Sequence, residues 1–338
     1  MIKSVTYNFV IPVSSLYSLA DFIAGERADF EHLYCQGGYS WGLQSYHILK
    51  HYDISIRLSH ELDPECINLA HGNVLRSGVK RADCYCVSLQ ADFPHYSLAQ
   101  YHIVQNHAQI SGHSAYVPHW PQVSQIARNP GRSGVRRVAY QGIPNFSDLD
   151  ADRLNADLND EGIDFVLLDE TRWKDLSEVD VLLGIRKFGQ VKYKRKPPSK
   201  LLNAWHAEIP FVGGWDSAYS QIGVPGQNYL RVSSYNELVE KVIELKHSPE
   251  LYQHIVAEGR KQSTEYTVDI IARRWLQLLE GNILNNYQGW SRLAAKTVRF
   301  RLKLCSYSLI ASSKKSIQRC YKIEAVKRWR DLYYDPVK

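Results

Sequence analysis

Short apolar runs alternate along the chain with amphipathic stretches of helical period, the pattern of a parallel α/β protein rather than of a sandwich or a bundle. Strands are expected at 6–11, 32–35, 53–58, 83–89 and 102–105, with a last short one inside 116–121, where prolines close the unit. The run at 32–35 leads into a glycine turn, 36–42, and a helix over 43–50, which together read as a βα unit with a substrate-facing loop. A second series starts at 135–140 and continues with an acidic helix over 148–160 that carries Leu149, Leu154 and Leu158 on one face. The continuous apolar runs 165–168 and 179–185 read as strands buried on both faces, and 229–232 as the last strand. Ser234 and Glu237 form a capping box, Pro249 opens a further helix, and 268–279 shows an apolar stripe through Ile271, Trp275, Leu278 and Leu279.

This periodicity divides the 338 residues into a Rossmann-like domain over 1–121, a linker over 122–134 rich in Arg, Gly and Pro, a second Rossmann-like domain over 135–280, and a helical extension over 281–338. Charge sharpens the division. Thirteen Lys or Arg face three acidic residues between 281 and 338, a local +10, so the rest of a chain whose total is +6 carries −4. In the extension, Arg292, Lys296, Arg299, Arg301 and Lys303 interleave with Leu293, Val298, Phe300, Leu302 and Leu304, and a second basic run spans 314–330. That mixture suits an anionic membrane surface; nucleic acid and a solvated extension packed on the body are its rivals. No stretch is apolar enough to cross a bilayer, and 5–13 is broken by Asn8 and Pro12, so no signal segment is expected. The six cysteines form no small disulfide framework, and Cys84 and Cys86 read as one face of a buried strand rather than a metal site. A reducing, cytoplasmic protein, peripheral at the inner membrane face, is the expectation.

Candidate chemistry concentrates in 196–219. Pro197 and Pro198 hold the approach extended, Ser199 stands where an N-cap belongs, and Leu201, Leu202 and Trp205 follow at helical spacing. The first turn carries Lys200 and no carboxylate, the wrong sign for the helix dipole unless an external anion sits there. Pro210 should end that helix, 211–212 form a strand, Gly213 and Gly214 turn, and Asp216 or Ser217 cap a second helix through Ala218 and Tyr219. Two helix starts would then open at the carboxyl edge of one sheet, joined there by Arg186 and Lys196. In the first domain the strand-end positions Asp92, His95 and His107 are candidates for catalysis or acceptor positioning, and Gly37, Gly38 and Tyr39 for a cleft loop.

The run Leu202, Asn203, Ala204, Trp205, His206, Ala207, Glu208, Ile209, Pro210, followed by Gly213, Gly214 and an acidic residue, resembles the donor-binding segment of GT-B glycosyltransferases, above all glycosyltransferase family four. The family's paired glutamates map by spacing onto Arg195 and Asn203, and its diphosphate-clamping Arg and Lys are replaced where Gly142 runs into Ile143, Pro144 and Asn145. The resemblance implies a last helix that crosses back to the first domain. It also implies transfer of a sugar from a nucleotide-diphosphate sugar to a glycan, lipid-linked or protein acceptor, with no metal or other cofactor. On that reading the diphosphate meets Arg186, Lys196 and Lys200, and Asp216 or Asn203 meets the ribose or sugar. Two alternatives stand beside it: a sugar-nucleotide epimerase, and a non-catalytic GT-B-like scaffold that binds membrane or nucleic acid through its tail.

Overall fold

The computed structural model describes residues 5–78, 80–142, 147–169 and 172–320. The first domain is a six-stranded parallel sheet made of β1 (Tyr7–Val10), β2 (Ile56–Ser59), β3 (Ile67–His71), β4 (Tyr85–Leu89), β5 (Tyr101–Val104) and β6 (Ser114–Tyr116), in the order β2-β1-β3-β4-β5-β6. Its helices are α1 (Leu19–Ala24), α2 (Gln44–Leu49) and α3 (Gly72–Ser77). Alternate residues of one strand serve opposite faces: Tyr7 and Phe9 enter one core, while Val10 enters the other.

Two expectations fail here. Residues 32–35 are not a strand, because a 3-10 turn over Arg27–Leu33, capped by Glu26 and Asp29, takes up that segment. The glycine turn is instead a helix start that runs through a π-helical turn, Tyr39–Leu43, into α2. Strand β3 was not foreseen. Its apolar run is interrupted by Asn68, which is buried and hydrogen-bonded to Asn8, to the Asp63 backbone and to the Tyr85 carbonyl.

The second domain is a five-stranded parallel sheet of β7 (Arg137–Gln141), β8 (Asp164–Leu168), β9 (Val181–Gly184), β10 (Phe211–Gly214) and β11 (Leu230–Val232), in the order β11-β10-β9-β7-β8. Helices α4 (Ala151–Asn159), α6 (Tyr235–His247) and α7 (Pro249–Ser263) cover one face, and α5 (Ser199–His206) the other. The domain is doubly wound, with its switch point between β7 and β9. Strand β8 is the edge: Leu167 is exposed and Phe165 and Val166 are half-buried, so the apolar run 165–168 is not buried on both faces as expected. Gly213 and Gly214 lie inside β10 rather than in a turn. Directly after β10, where a second helix through Ala218 and Tyr219 was expected, the chain makes a 3-10 turn over Tyr219–Gln221 instead.

After the second domain, α8 (Val268–Leu278) returns to the first. Ile271, Ala272 and Trp275 are buried in its core, with Trp275 stacked 6.1 Å from Trp120 and tilted against Trp41 and Phe9. Helix α9 (Leu284–Ser291) follows, and Tyr85 donates a 2.7 Å hydrogen bond to Asn286. Helix α10 (Lys296–Cys320) then lies on the opposite face of the first sheet through Phe300, Leu304 and Tyr307. Residues 143–145 and the part of the second basic run beyond 320 lie outside the described residues, as do the side chains from 314 onward.

Candidate functional site

The switch point of the second domain is where the sequence's cations meet. Strand β7 ends at Gln141, and Gly142 follows with φ +151°, a conformation that favours glycine. A Cβ at Gly142 would stand 2.6 Å from Lys200 Nζ, so this glycine makes room for the ammonium group. Lys200 is in the first turn of α5, and its Nζ lies 4.3 Å from the ring centre of Tyr140. Among the described residues it has no ion-pair partner. Burial pulls its pKa from 10.5 down to about 7, with Arg186 and Lys196 adding repulsion and Asp216 opposing them. Ser199 is the first residue of α5 rather than its cap; Pro198 holds the cap position and provides no side-chain hydrogen bond. The first-turn N–H groups are therefore left for an outside acceptor, as at any helix start without a cap.

Arg186 leaves the end of β9 and pairs with Asp216, which is 3% exposed, while its second nitrogen donates 3.2 Å to the Pro197 carbonyl. Burial opposes its charge, but Tyr219 and Asp216 raise its pKa on balance. Asp216 also accepts from the Ala218 N–H at 2.7 Å, so it is both the counter-ion of Arg186 and the acceptor of a local turn bond just before the 3-10 turn. Ala218 and Tyr219 are wholly buried, the Tyr219 ring edge-on against Phe211. Ser217 reaches the Tyr193 carbonyl at 3.5 Å. Asn203 is buried and donates to Gln141 at 3.0 Å, tying α5 to the end of β7.

The two glycines of β10 serve packing. A Cβ at Gly213 would stand 2.6 Å from the Phe211 ring, and one at Gly214 would stand 2.8 Å from the Lys187 carbonyl oxygen. Because the second contact is with backbone, Gly214→Ala should lower stability by about 1–3 kcal/mol, read as a fall in the urea midpoint. An unchanged midpoint would mean that the 187–189 loop yields freely.

Across the cleft, the carboxyl edge of the first sheet meets the segment that leads to α5. Asp92 accepts from Lys196 Nζ at 2.8 Å and from the Gln105 amide, and Gln105 also donates to the Arg195 carbonyl. Asn106 donates to the carbonyls of Tyr193 and Lys196 at 2.7 and 2.9 Å. Gln221 bonds both the Asn106 side chain and the His107 N–H. Asp92, Lys196, Arg186 and Lys200 are thus gathered at one cleft.

The remaining candidates lie elsewhere. The His107 ring packs edge-on against Tyr116, and its backbone N–H donates to Gln221 of the second domain. His95 stacks on His102 at 3.9 Å, and the charge of Lys303 on α10 lowers its pKa further after burial. Gly37 packs against His71, Gly38 against Pro12, and Tyr39 is buried beside Phe22.

Two histidines that the sequence did not single out stand nearer to Asp92. His71 ends β3, accepts from the Asn73 N–H through Nδ1, and has its pKa held at about 4 by burial and Arg76, with Asp92 opposing. His119 bonds Ser40 at 3.0 Å and the Trp120 carbonyl at 2.9 Å, and burial lowers its pKa while Asp92 opposes. Both rings are neutral at physiological pH. His71 escaped notice with its strand. Gly142 carries no local signal of its own, since its role comes only from standing just past a strand at a switch point. Among the described residues no group of three or more His, Cys, Asp or Glu is placed to hold a metal ion.

No family model matches the chain, and no curated protein matches it in sequence. Solved structures do match it in fold. Anabaena HepE in complex with UDP and glucose superposes with a TM-score of 0.52 at 9% identity, over 82% of this chain and 99% of that one. The same protein in complex with UDP-glucose gives 0.51 at 10% identity, over 81% and 99%. A glycosyltransferase from Rickettsia africae gives 0.47 at 9% identity, over 82% and 98%. Two facing doubly wound domains, with a C-terminal helix returned to the first, make this the GT-B fold.

Proposed function

We propose that the chain is a nucleotide-sugar-dependent glycosyltransferase that binds the donor diphosphate at the start of α5. The observation that carries the reading is Lys200: a lysine without an ion-pair partner among the described residues, held beside Gly142 at the switch point of a doubly wound sheet. An ammonium group so placed is unfavourable until an anion arrives. Arg186 and Lys196 stand close enough to affect its titration, so three cations can offset the charge that develops on a departing diphosphate without a metal. HepE holds UDP and glucose in its structure, which supports a UDP-sugar as donor here.

Asp92, on the first-domain side, is the group best placed to accept the proton of an acceptor hydroxyl. The acceptor, on this reading, is a glycan, a lipid-linked sugar or a protein. Asn203 and Asp216 are already engaged by Gln141 and Arg186, so a role for either at the ribose or sugar would require those bonds to exchange.

One observation favours a non-catalytic scaffold instead: in the unliganded cleft Lys196 and Arg186 already have counter-ions, in Asp92 and Asp216. A thermal-shift screen separates the two readings. UDP, GDP, dTDP, ADP and CMP would each be added to the protein and to Lys200→Ala. Selective stabilisation by one diphosphate is expected, about 2.7 kcal/mol at a hundred times Kd, and should be lost in the variant. No shift with any nucleotide would remove the transferase reading and leave the scaffold.

A further inference from the structure

Helix α10 packs one face against the body and leaves the opposite face exposed. Phe300, Leu304 and Tyr307, spaced by four and three, pack on the first domain. Val298, Leu302, Cys305 and Leu309 recur at the same helical spacing but are exposed, with Val298, Leu302 and Leu309 at 59%, 67% and 69%. A regular apolar stripe on the outer side of a docked helix is not what solvent alone selects.

Charge identifies the occupant. Between 281 and 320 there are eight Lys or Arg and no acidic residue. By helical spacing Arg301 flanks the stripe on one side and Arg299 on the other. A second copy of the chain would bring the same positive face against this one, with no carboxylate in the segment to relieve it. A polyanion with a polar surface would leave the leucines in water. Only a surface with anionic headgroups over hydrocarbon satisfies both the stripe and its basic flanks. The helix cannot span that surface, since no described helix is long and apolar enough to cross a membrane.

We propose that the outer face of α10, centred on Val298, Leu302 and Leu309, seats the protein on an anionic bilayer. The proposal does not depend on the transferase reading.

Flotation of the full chain with phosphatidylcholine vesicles, with and without about one-third phosphatidylglycerol, tests it. Binding to the anionic vesicles is expected, falling at least about tenfold without the anionic lipid and by a similar factor in the Leu302→Asp, Leu309→Asp double variant. Both positions are exposed, so that variant should keep its melting temperature and any nucleotide shift. Equal binding by the variant, equal binding to neutral vesicles, or no binding to either would overturn the proposal. So would a concentration-dependent dimer that the same substitutions dissolve, which would assign the stripe to a second copy. None of these outcomes depends on whether a nucleotide binds.

Discussion

Replacing Lys200 by methionine should weaken nucleoside diphosphate binding about a hundredfold, equivalent to about 2.7 kcal/mol, while making the unliganded protein more stable at neutral pH. Methionine fills the space over Gly142 and Tyr140 without a charge. In the folded chain the lysine titrates near 7, against 10.5 for the unperturbed group. Between those values the unfolded chain holds more protons than the folded one, so stability rises with pH across that interval. Below about pH 7 both states are protonated and the cost of the buried charge is fully present. At about 1.4 kcal/mol per pH unit, and allowing for the side chain's partial exposure, the penalty is roughly 3 kcal/mol.

The same shift predicts proton uptake on binding. At pH 8 most of the free protein carries a neutral Lys200, and a bound diphosphate restores its charge, whereas the diphosphate itself, with a last pKa near 6, is fully ionised in both states. Calorimetric titration with UDP at pH 8, in two buffers of different ionisation enthalpy, should therefore show uptake of close to one proton. It should vanish in Lys200→Met. Binding without uptake in the native protein would place the anion elsewhere.

Much of this site could be read in the chain before its folding was known, and the parts that could not have physical reasons. Lys200 was legible because a helix start without a carboxylate, behind two prolines, is anomalous in local terms alone. Arg186 was legible as the first charged residue past a continuous apolar strand. The second helix was misread because two glycines before an aspartate resemble a turn into a helix cap. In the fold Gly213 admits the Phe211 and Tyr219 rings, Gly214 lies against the Lys187 carbonyl, and the aspartate neutralises Arg186. Strand β3 and His71 were invisible because Asn68 breaks the apolar run, and two of its partners, Asn8 and Tyr85, lie in other strands distant in sequence. The bonds from Gln105 and Asn106 to the carbonyls of Tyr193, Arg195 and Lys196 join residues about ninety positions apart, and no local pattern encodes them. The outward stripe of α10 was seen as a mixture of basic and apolar residues. Which apolar residues face the body became readable only once Phe300, Leu304 and Tyr307 were placed.

Asp92→Asn should lower sugar transfer by about 10² to 10⁴ while leaving donor binding intact or slightly tighter. In the unliganded cleft the carboxylate is shared between Lys196 and Gln105. The Asp92 and Lys196 side chains are 33% and 28% exposed, and an ion pair that open to water contributes under about 1 kcal/mol. A diphosphate at the start of α5 carries more charge than one carboxylate and can draw Lys196 away at small cost. Asp92 would then face the acceptor side without its cation, free to take a hydroxyl proton only once the donor is in place. Asparagine keeps the shape and can still accept from Gln105, but it neither holds Lys196 nor accepts a proton. Donor affinity and transfer should therefore move apart. The UDP-induced thermal shift should be at least as large as in the native protein, and kcat for transfer should collapse with little change in the donor KM. If instead transfer persists and only the unliganded melting temperature falls, Asp92 is a latch between the domains, and the proton must leave through another group at the same edge, with His71 and His119 the nearest candidates.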